Sequence, residues 1–252
     1  MRFRRLAAPV VAAVLLAIGS AVPANAIANG QEVPIGRYRF SVKLTMTGIP
    51  TPDGGRRNSA CSGALIAPQW VITAGHCFRD ANGNRVERPV ADLTTATVGR
   101  TDLNGTGGYV ATVIAVRQSP TNDVALAKID RVITDIAPIR LTTAVPRVAE
   151  VVRVTGYGST TSANPAPVTR LRMGQMKVAA VTTTTVGMTG WRPAADTTPC
   201  PYDSGGPYFR ERYKGWAELV AVVSTGPSCP HTQVETAARI DNILPWIRGA
   251  MA

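Results

Sequence analysis

After residue 26 the sequence has no apolar run long enough to cross a membrane. It has only two histidines and four cysteines, and no run of lysines or arginines past residue 57. Each shortage excludes something. Without a run of roughly 20 apolar residues, no membrane helix is expected once the first segment is removed. The cysteines, Cys61, Cys77, Cys200 and Cys229, never come closer than sixteen positions. A structural zinc site usually shows a close Cys pair, so zinc is not expected. The segment "DANGN" at 80–84 has no glutamate where a calcium loop would need one and reads as a turn. The formal charge is +11, but the basic residues are scattered and not interleaved with aromatics. That describes a solvated basic surface better than a nucleic-acid site.

Glycine and proline, by contrast, are abundant, at 23 and 19 residues. Such a chain suits a turn-rich β protein. The first 26 residues stand apart. Arg2, Arg4 and Arg5 precede an apolar stretch, Val10 to Ile18, and Ala24-Asn25-Ala26 reads as a cleavage site. This is the pattern of a secretory signal peptide. Removing its three arginines lowers the charge from +11 to +8. Export also suits an even cysteine count, which in an oxidising compartment implies disulfides. Three pairings are open; the local one, 61 with 77 and 200 with 229, would staple two separate loops.

Short Val-, Ile- and Thr-rich runs fill the rest, bounded by Gly, Pro, Asn and Asp. Examples are "FSVKLTM" (40–46), "SGALIAPQWVITAG" (62–75), "YVATVIAVRQS" (109–119), "EVVRVTGYG" (150–158) and "PYFRERYKGWAELVAVVSTG" (207–226). Regularly spaced short strands favour an all-β barrel or sandwich. Residues 240–251 differ. Ile240, Ile243, Leu244 and Ile247 recur at helical spacing, which predicts a C-terminal helix if Pro245 lies in its first turn. Two prolines near 136–147 mark a seam.

Three local patterns could carry chemistry. "VITAGHC" runs a strand into His76 beside Cys77. "NDVALAKI" sets Asp123 before a strand. "CPYDSGGP" places Ser204 between Asp203 and two glycines. Alone, each has a bland explanation: a satisfied histidine, a strand cap, a Gly-Pro turn. Together they supply a hydroxyl nucleophile, a base that works near neutral pH and an acid to orient that base.

In that order, "TAGHC", "DVAL" and "DSGGP" resemble the chymotrypsin/trypsin-like serine endopeptidases (peptidase family S1), here as a secreted bacterial-type member. The resemblance spans about 27 to 248. It includes "TGYG" (155–158), "VSTG" (223–226) and "LPWI" (244–247). It implies two antiparallel six-stranded β-barrels with a C-terminal helix. Residues 27–137 would form the barrel carrying His76 and Asp123, and 138–252 the barrel carrying Ser204. It also implies disulfides Cys61–Cys77 and Cys200–Cys229, and an oxyanion hole from the amides of Tyr202 and Ser204. A primary (S1) pocket would be built from Thr198, Ser224, Thr225, Gly226 and Gln233. Thr198 stands where members cleaving after Arg or Lys carry aspartate, while Glu235 would restore a negative charge if it points inward. Ile27-Ala28-Asn29-Gly30, directly after the expected cleavage site, fits the family's activating N-terminus, whose ammonium would pair with Asp203. The resemblance implies no metal or cofactor, and the expected partners are protein or peptide substrates, acted on by a secreted monomer that binds neither nucleic acid nor membrane. Tyr202 departs from the family, which usually has glycine there. If that position needs a positive φ, tyrosine costs about 1–3 kcal/mol. If the peptide flips instead, one oxyanion donor is lost, and the alternative expectation is a catalytically weak or inactive homologue that acts as a peptide- or protein-binding module.

Overall fold

The computed structural model describes residues 26–212 and 216–252. The expected export segment, apart from Ala26, lies outside the described residues. Among the described residues there are fourteen strands and one short α-helix, and twelve of the strands form two barrels. In the first, β2 (Ser41–Pro50), β3 (Arg56–Ala67), β4 (Trp70–Thr73), β5 (Leu93–Val98), β6 (Tyr109–Gln118) and β7 (Ala125–Ile129) close in the order β2-β3-β4-β7-β6-β5. In the second, β9 (Val151–Gly156), β10 (Arg172–Val181), β11 (Thr185–Arg192), β14 (Glu235–Arg239), β13 (Ala217–Thr225) and β12 (Pro207–Glu211) follow one another, and antiparallel pairing of β9 with β10 closes the ring. Two short strands lie outside these rings. β1 (Gln31–Glu32) pairs with β10, and β8 (Arg140–Leu141) runs parallel to β13. This is the chymotrypsin-like architecture that the sequence resemblance implies.

Alternation builds the strands. Along β10 the residues from Arg172 to Val178 are buried at every second position, which turns Met176 and Val178 toward the barrel interior. Two runs that read as continuous in the sequence are hairpins. Residues 62–75 reverse at Pro68-Gln69 between β3 and β4, and 207–226 hold both β12 and β13. Proline lacks an amide to donate to a ladder, so the break falls where it stands.

The C-terminal segment begins as a 3-10 turn, Asp241–Ile243, and continues as α1 (Leu244–Ala250) with Pro245 in the first turn. Its Ile243, Leu244 and Ile247 join the core of the first barrel together with Phe209, Leu219 and Val222 of the second. One apolar core therefore crosses the junction. Each such side chain contributes about 1.5–3 kcal/mol when fully buried.

The polar part of that junction positions the site. Lys43 and Ser62 face each other across β2 and β3. The Ser62 amide donates to the Ser204 carbonyl at 2.8 Å. The Ser62 hydroxyl accepts from the Tyr157 amide at 3.1 Å and donates to the Tyr202 carbonyl at 3.2 Å. Lys43 Nζ donates to the Tyr157 carbonyl at 2.9 Å. Thus the first barrel grips the loop of the second that carries Ser204.

Candidate active site

His76 sits in a single 3-10 turn, Gly75–Cys77, just past the end of β4. A disulfide joins Cys77 to Cys61 on β3 and fixes that turn. Asp123 precedes β7, the neighbour of β4, so strand pairing brings the two together. The His76 amide donates to Asp123 Oδ1 at 2.9 Å, and its ring Nδ1 lies 2.7 Å from Oδ2. Two contacts to one carboxylate fix the ring's position through its backbone amide and Nδ1. Burial alone would raise the Asp123 pKa, but the hydrogen bond and charge of His76, with a further bond from Ser224, overcome it and hold the group at about 2. Asp123 is therefore ionised throughout the neutral range.

Ser204 enters from the second barrel and lines a common cleft with His76, Cys77 and Tyr202. Its loop is held by backbone bonds from Asp203 to Cys200, Gly206 to Asp203 and Gly205 to Val223, at 2.8–3.0 Å. The second disulfide, Cys200–Cys229, ties it to the segment before β14. At Gly205 φ is +82°, and a Cβ would lie 2.0 Å from Thr73 Oγ1, so only glycine fits.

Tyr202 has φ +74°. The chain keeps the positive φ and accepts the strain of placing a tyrosine in the left-handed region. Among the described residues, neither the Tyr202 nor the Ser204 amide has a protein acceptor. Both residues line the cleft, and unengaged donors of this kind are costly unless they meet an acceptor.

Asp203 is fully buried. Its Oδ1 accepts the Gly158 amide at 2.7 Å, and its Oδ2 accepts the Cys200 amide at 3.0 Å and the Ile27 amide at 3.3 Å. Burial raises its pKa to about 6 against the pull of these bonds and of Lys43. The "TGYG" motif owes both glycines to this carboxylate. A Cβ on Gly156 would lie 2.0 Å from Oδ1, and one on Gly158 would lie 2.5 Å from Cγ. Ile27 is completely buried in the second barrel's core with its nitrogen on Asp203.

A pocket of about 240 Å³ opens beside Ser204. Ser224, Thr225 and Gly226 line it, together with Pro199, Cys200, Ser228 and Glu235. Thr198 and Gln233 fall outside this lining. Thr198 is wholly buried with its amide on the Ala28 carbonyl, and Gln233 is exposed. Ser224 has a further role that its sequence context does not suggest: its hydroxyl donates to Asp123 Oδ2 at 2.7 Å. Glu235 does point inward, and a Cβ on Gly226 would lie 1.9 Å from its Oε2. Its Oε1 lies 2.8 Å from His231 Nε2, and burial pushes its pKa up to about 8. Among the described residues, no group of three or more His, Cys, Asp or Glu could hold a metal ion, and no helix is long and apolar enough to cross a membrane.

Several known proteins are similar in sequence along most of the chain. The chain is 27% identical over 269 residues to glucanase inhibitor protein 1 of Phytophthora sojae, covering 96% of this chain and 98% of that one. It is 27% identical to the proclotting enzyme of Tachypleus tridentatus, over 88% of this chain and 65% of that one. It is 26% identical to trypsin alpha-4 of Lucilia cuprina, over 86% of each. These relatives come from eukaryotes and do not bear out a bacterial type of membership. A family profile described as Trypsin matches residues 27–247. With that match covering almost all of the described chain, this protein belongs to the trypsin family of serine proteases.

Proposed function

We propose that this protein is a secreted, monomeric serine endopeptidase that needs no cofactor, with Ser204 as nucleophile, His76 as base and Asp123 as the group orienting that base. The carrying observation is the 2.7 Å pair of His76 Nδ1 with Asp123, set in the cleft that also holds Ser204. Ser204 Oγ attacks the scissile carbonyl as its proton passes to His76 Nε2. The carbonyl oxygen becomes an oxyanion, met by the amides of Tyr202 and Ser204. The imidazolium, stabilised by ionised Asp123, then protonates the leaving amine, and the C–N bond breaks to give an acyl-enzyme. Water enters with His76 again as base, the ester bond breaks, and Ser204 recovers its proton. One positioned donor of this kind is worth about 10²–10³ in rate, so the positive φ at Tyr202 supports retained catalysis.

The side chain before the scissile bond enters the pocket closed by Glu235. We read Ile27 as the first residue of the processed chain, its ammonium replacing the amide that now meets Asp203. Incubation of the processed protein with a serine-directed phosphonate tests the function. Stoichiometric labelling is expected, and it disappears in Ser204→Ala. Peptide hydrolysis should disappear with it.

A second reading is a catalytically silent homologue that binds another protein. The relative named as a glucanase inhibitor, matched over nearly its whole length, favours it. Absence of labelling, with the fold intact by circular dichroism, would establish this reading and sink the first.

A further inference from the structure

Lys43 is unusual among the basic residues. It is the third residue of β2, is only 4% exposed and reaches into the second barrel rather than solvent. Burying an ammonium costs several kcal/mol unless something compensates it. Its compensation is specific. Nζ donates to the Tyr157 carbonyl at 2.9 Å. The amide of the same peptide group, Gly158 N–H, donates to Asp203 Oδ1 at 2.7 Å. The 157–158 peptide therefore stands between a buried cation and a buried anion, with its carbonyl toward the first and its N–H toward the second. That is the orientation in which a peptide dipole is stabilised at both ends. Lys43 Nζ also lies 5.9 Å from the centre of the Tyr202 ring. Its neighbour across the β2–β3 ladder, Ser62, holds the Tyr202 and Ser204 carbonyls.

In the continuous chain the Ile27 nitrogen that meets Asp203 is a neutral amide. It offers one hydrogen bond but no full charge. Lys43 supplies the charge, and its field acts on Asp203 directly. Burial lowers the Lys43 pKa to about 8, which leaves it cationic at neutral pH.

We propose that Lys43 is a positioning residue for the nucleophile loop: through the 157–158 peptide it provides the built-in positive charge that holds Asp203, and with it Tyr202 and Ser204, in place before Ile27 has a free amine. This rests on the reading of Ser204 as nucleophile. It adds that the loop is formed in the uncut chain and does not wait for the cut.

Two forms of the protein test it, one beginning at Ile27 and one with residues retained ahead of Ile27, each with Lys43, Lys43→Met and Lys43→Arg. The first readout is amide hydrogen exchange of residues 200–206, which needs no catalysis. In the extended form Lys43→Met is expected to speed exchange at least tenfold, Lys43→Arg to restore most of the protection, and the Ile27 form to change much less. The second readout is the phosphonate labelling rate, expected to drop at least tenfold in extended Lys43→Met and less than threefold in its Ile27 counterpart. Should Lys43→Met fold poorly, Asp203→Asn and the double variant complete a cycle. The melting-temperature loss from Lys43→Met should shrink when Asp203 is already neutral.

Unchanged exchange in extended Lys43→Met, or equal losses with and without Asp203, overturns the proposal. Absence of labelling in every form, Ile27 wild type included, overturns only the catalytic reading, and exchange still decides the role of Lys43.

Discussion

Tyr202→Gly is expected to stabilise the protein and to keep or raise its peptidase activity. The native φ of +74° lies where a side chain costs about 1–3 kcal/mol and glycine costs almost nothing. Against that relief stand two losses. Glycine makes the unfolded chain more flexible, by about 0.4–1 kcal/mol. The Lys43 contact to the Tyr202 ring, long at 5.9 Å and partly exposed, contributes about 0.5 kcal/mol. The bond from Ser62 reaches the backbone carbonyl of Tyr202 and survives the substitution. The balance centres on about 1 kcal/mol of added stability, a rise of about 2–4 °C in melting temperature for a chain of this size. Thermal unfolding should be measured in a Ser204→Ala background to prevent self-digestion, and kcat/KM for a peptide amide in the active background. A melting temperature lower by more than about 2 °C would refute the strain argument. A kcat/KM reduced more than about tenfold would show that the ring contributes something the backbone does not, since tenfold is about 1.4 kcal/mol of lost transition-state stabilisation.

Further outcomes follow from the same geometry. Ser224→Ala removes a 2.7 Å bond to ionised Asp123 and should lower kcat/KM about tenfold, the equivalent of one charge-assisted hydrogen bond of about 1.5 kcal/mol, with the fold unchanged by circular dichroism. Glu235 has a pKa of about 8 when folded against 4.5 for an unburied glutamate, so between those values the native state holds a proton that the unfolded state has lost. Stability from this group therefore falls as pH rises from about 4.5 to about 8. Subtracting the Glu235→Gln profile of melting temperature against pH from the wild-type profile should reveal that slope. His231, Tyr208 and Asp203, whose fields or bonds reach Glu235, are common to both proteins. The same ionisation should raise wild-type preference for lysine or arginine at the scissile bond, over neutral residues of similar length, as pH passes 8. Glu235→Gln should show no such rise. Gly226→Ala would force a methyl into the Glu235 carboxylate and should abolish cleavage of substrates with long side chains in the pocket, while phosphonate labelling by a small reagent persists.

Local chemistry made much of this legible in advance. Alternating Val and Thr positions mark strands such as β2 and β6, and the helical spacing of Ile243, Leu244 and Ile247 marks the C-terminal helix, whose proline does lie in the first turn. His76, Asp123 and Ser204 each sit in a motif whose neighbours are themselves informative: a cysteine, a strand start, two glycines. What escaped was long-range. Ser224 meets Asp123 across 101 positions, and Lys43 meets Tyr157 across 114. No periodicity within either segment reports such a meeting. Lys43 reads as an ordinary polar position in an alternating strand, although the face it occupies is covered by the other barrel. β11 was obscured by threonines and two glycines that dilute its alternation. The pocket was hard for a related reason. Which of Gln233 and Glu235 reaches it depends on the path of the chain into β14, which the Cys200–Cys229 bridge and the His231–Glu235 pair tie down, while Thr198 is drawn away by its bond to Ala28.

On the proposed peptidase reading, the grip of Ser62 on Ser204 also bears on when the chain could cut its surroundings. The first barrel holds a base and its orienting acid but nothing to activate. The second holds a hydroxyl whose loop is steadied by residues it does not own. A half-made chain, or one clipped between the barrels, therefore has neither a primed nucleophile nor a stable place to put one. On the peptidase reading the site is complete only while the two barrels are docked, and it is lost when that junction opens.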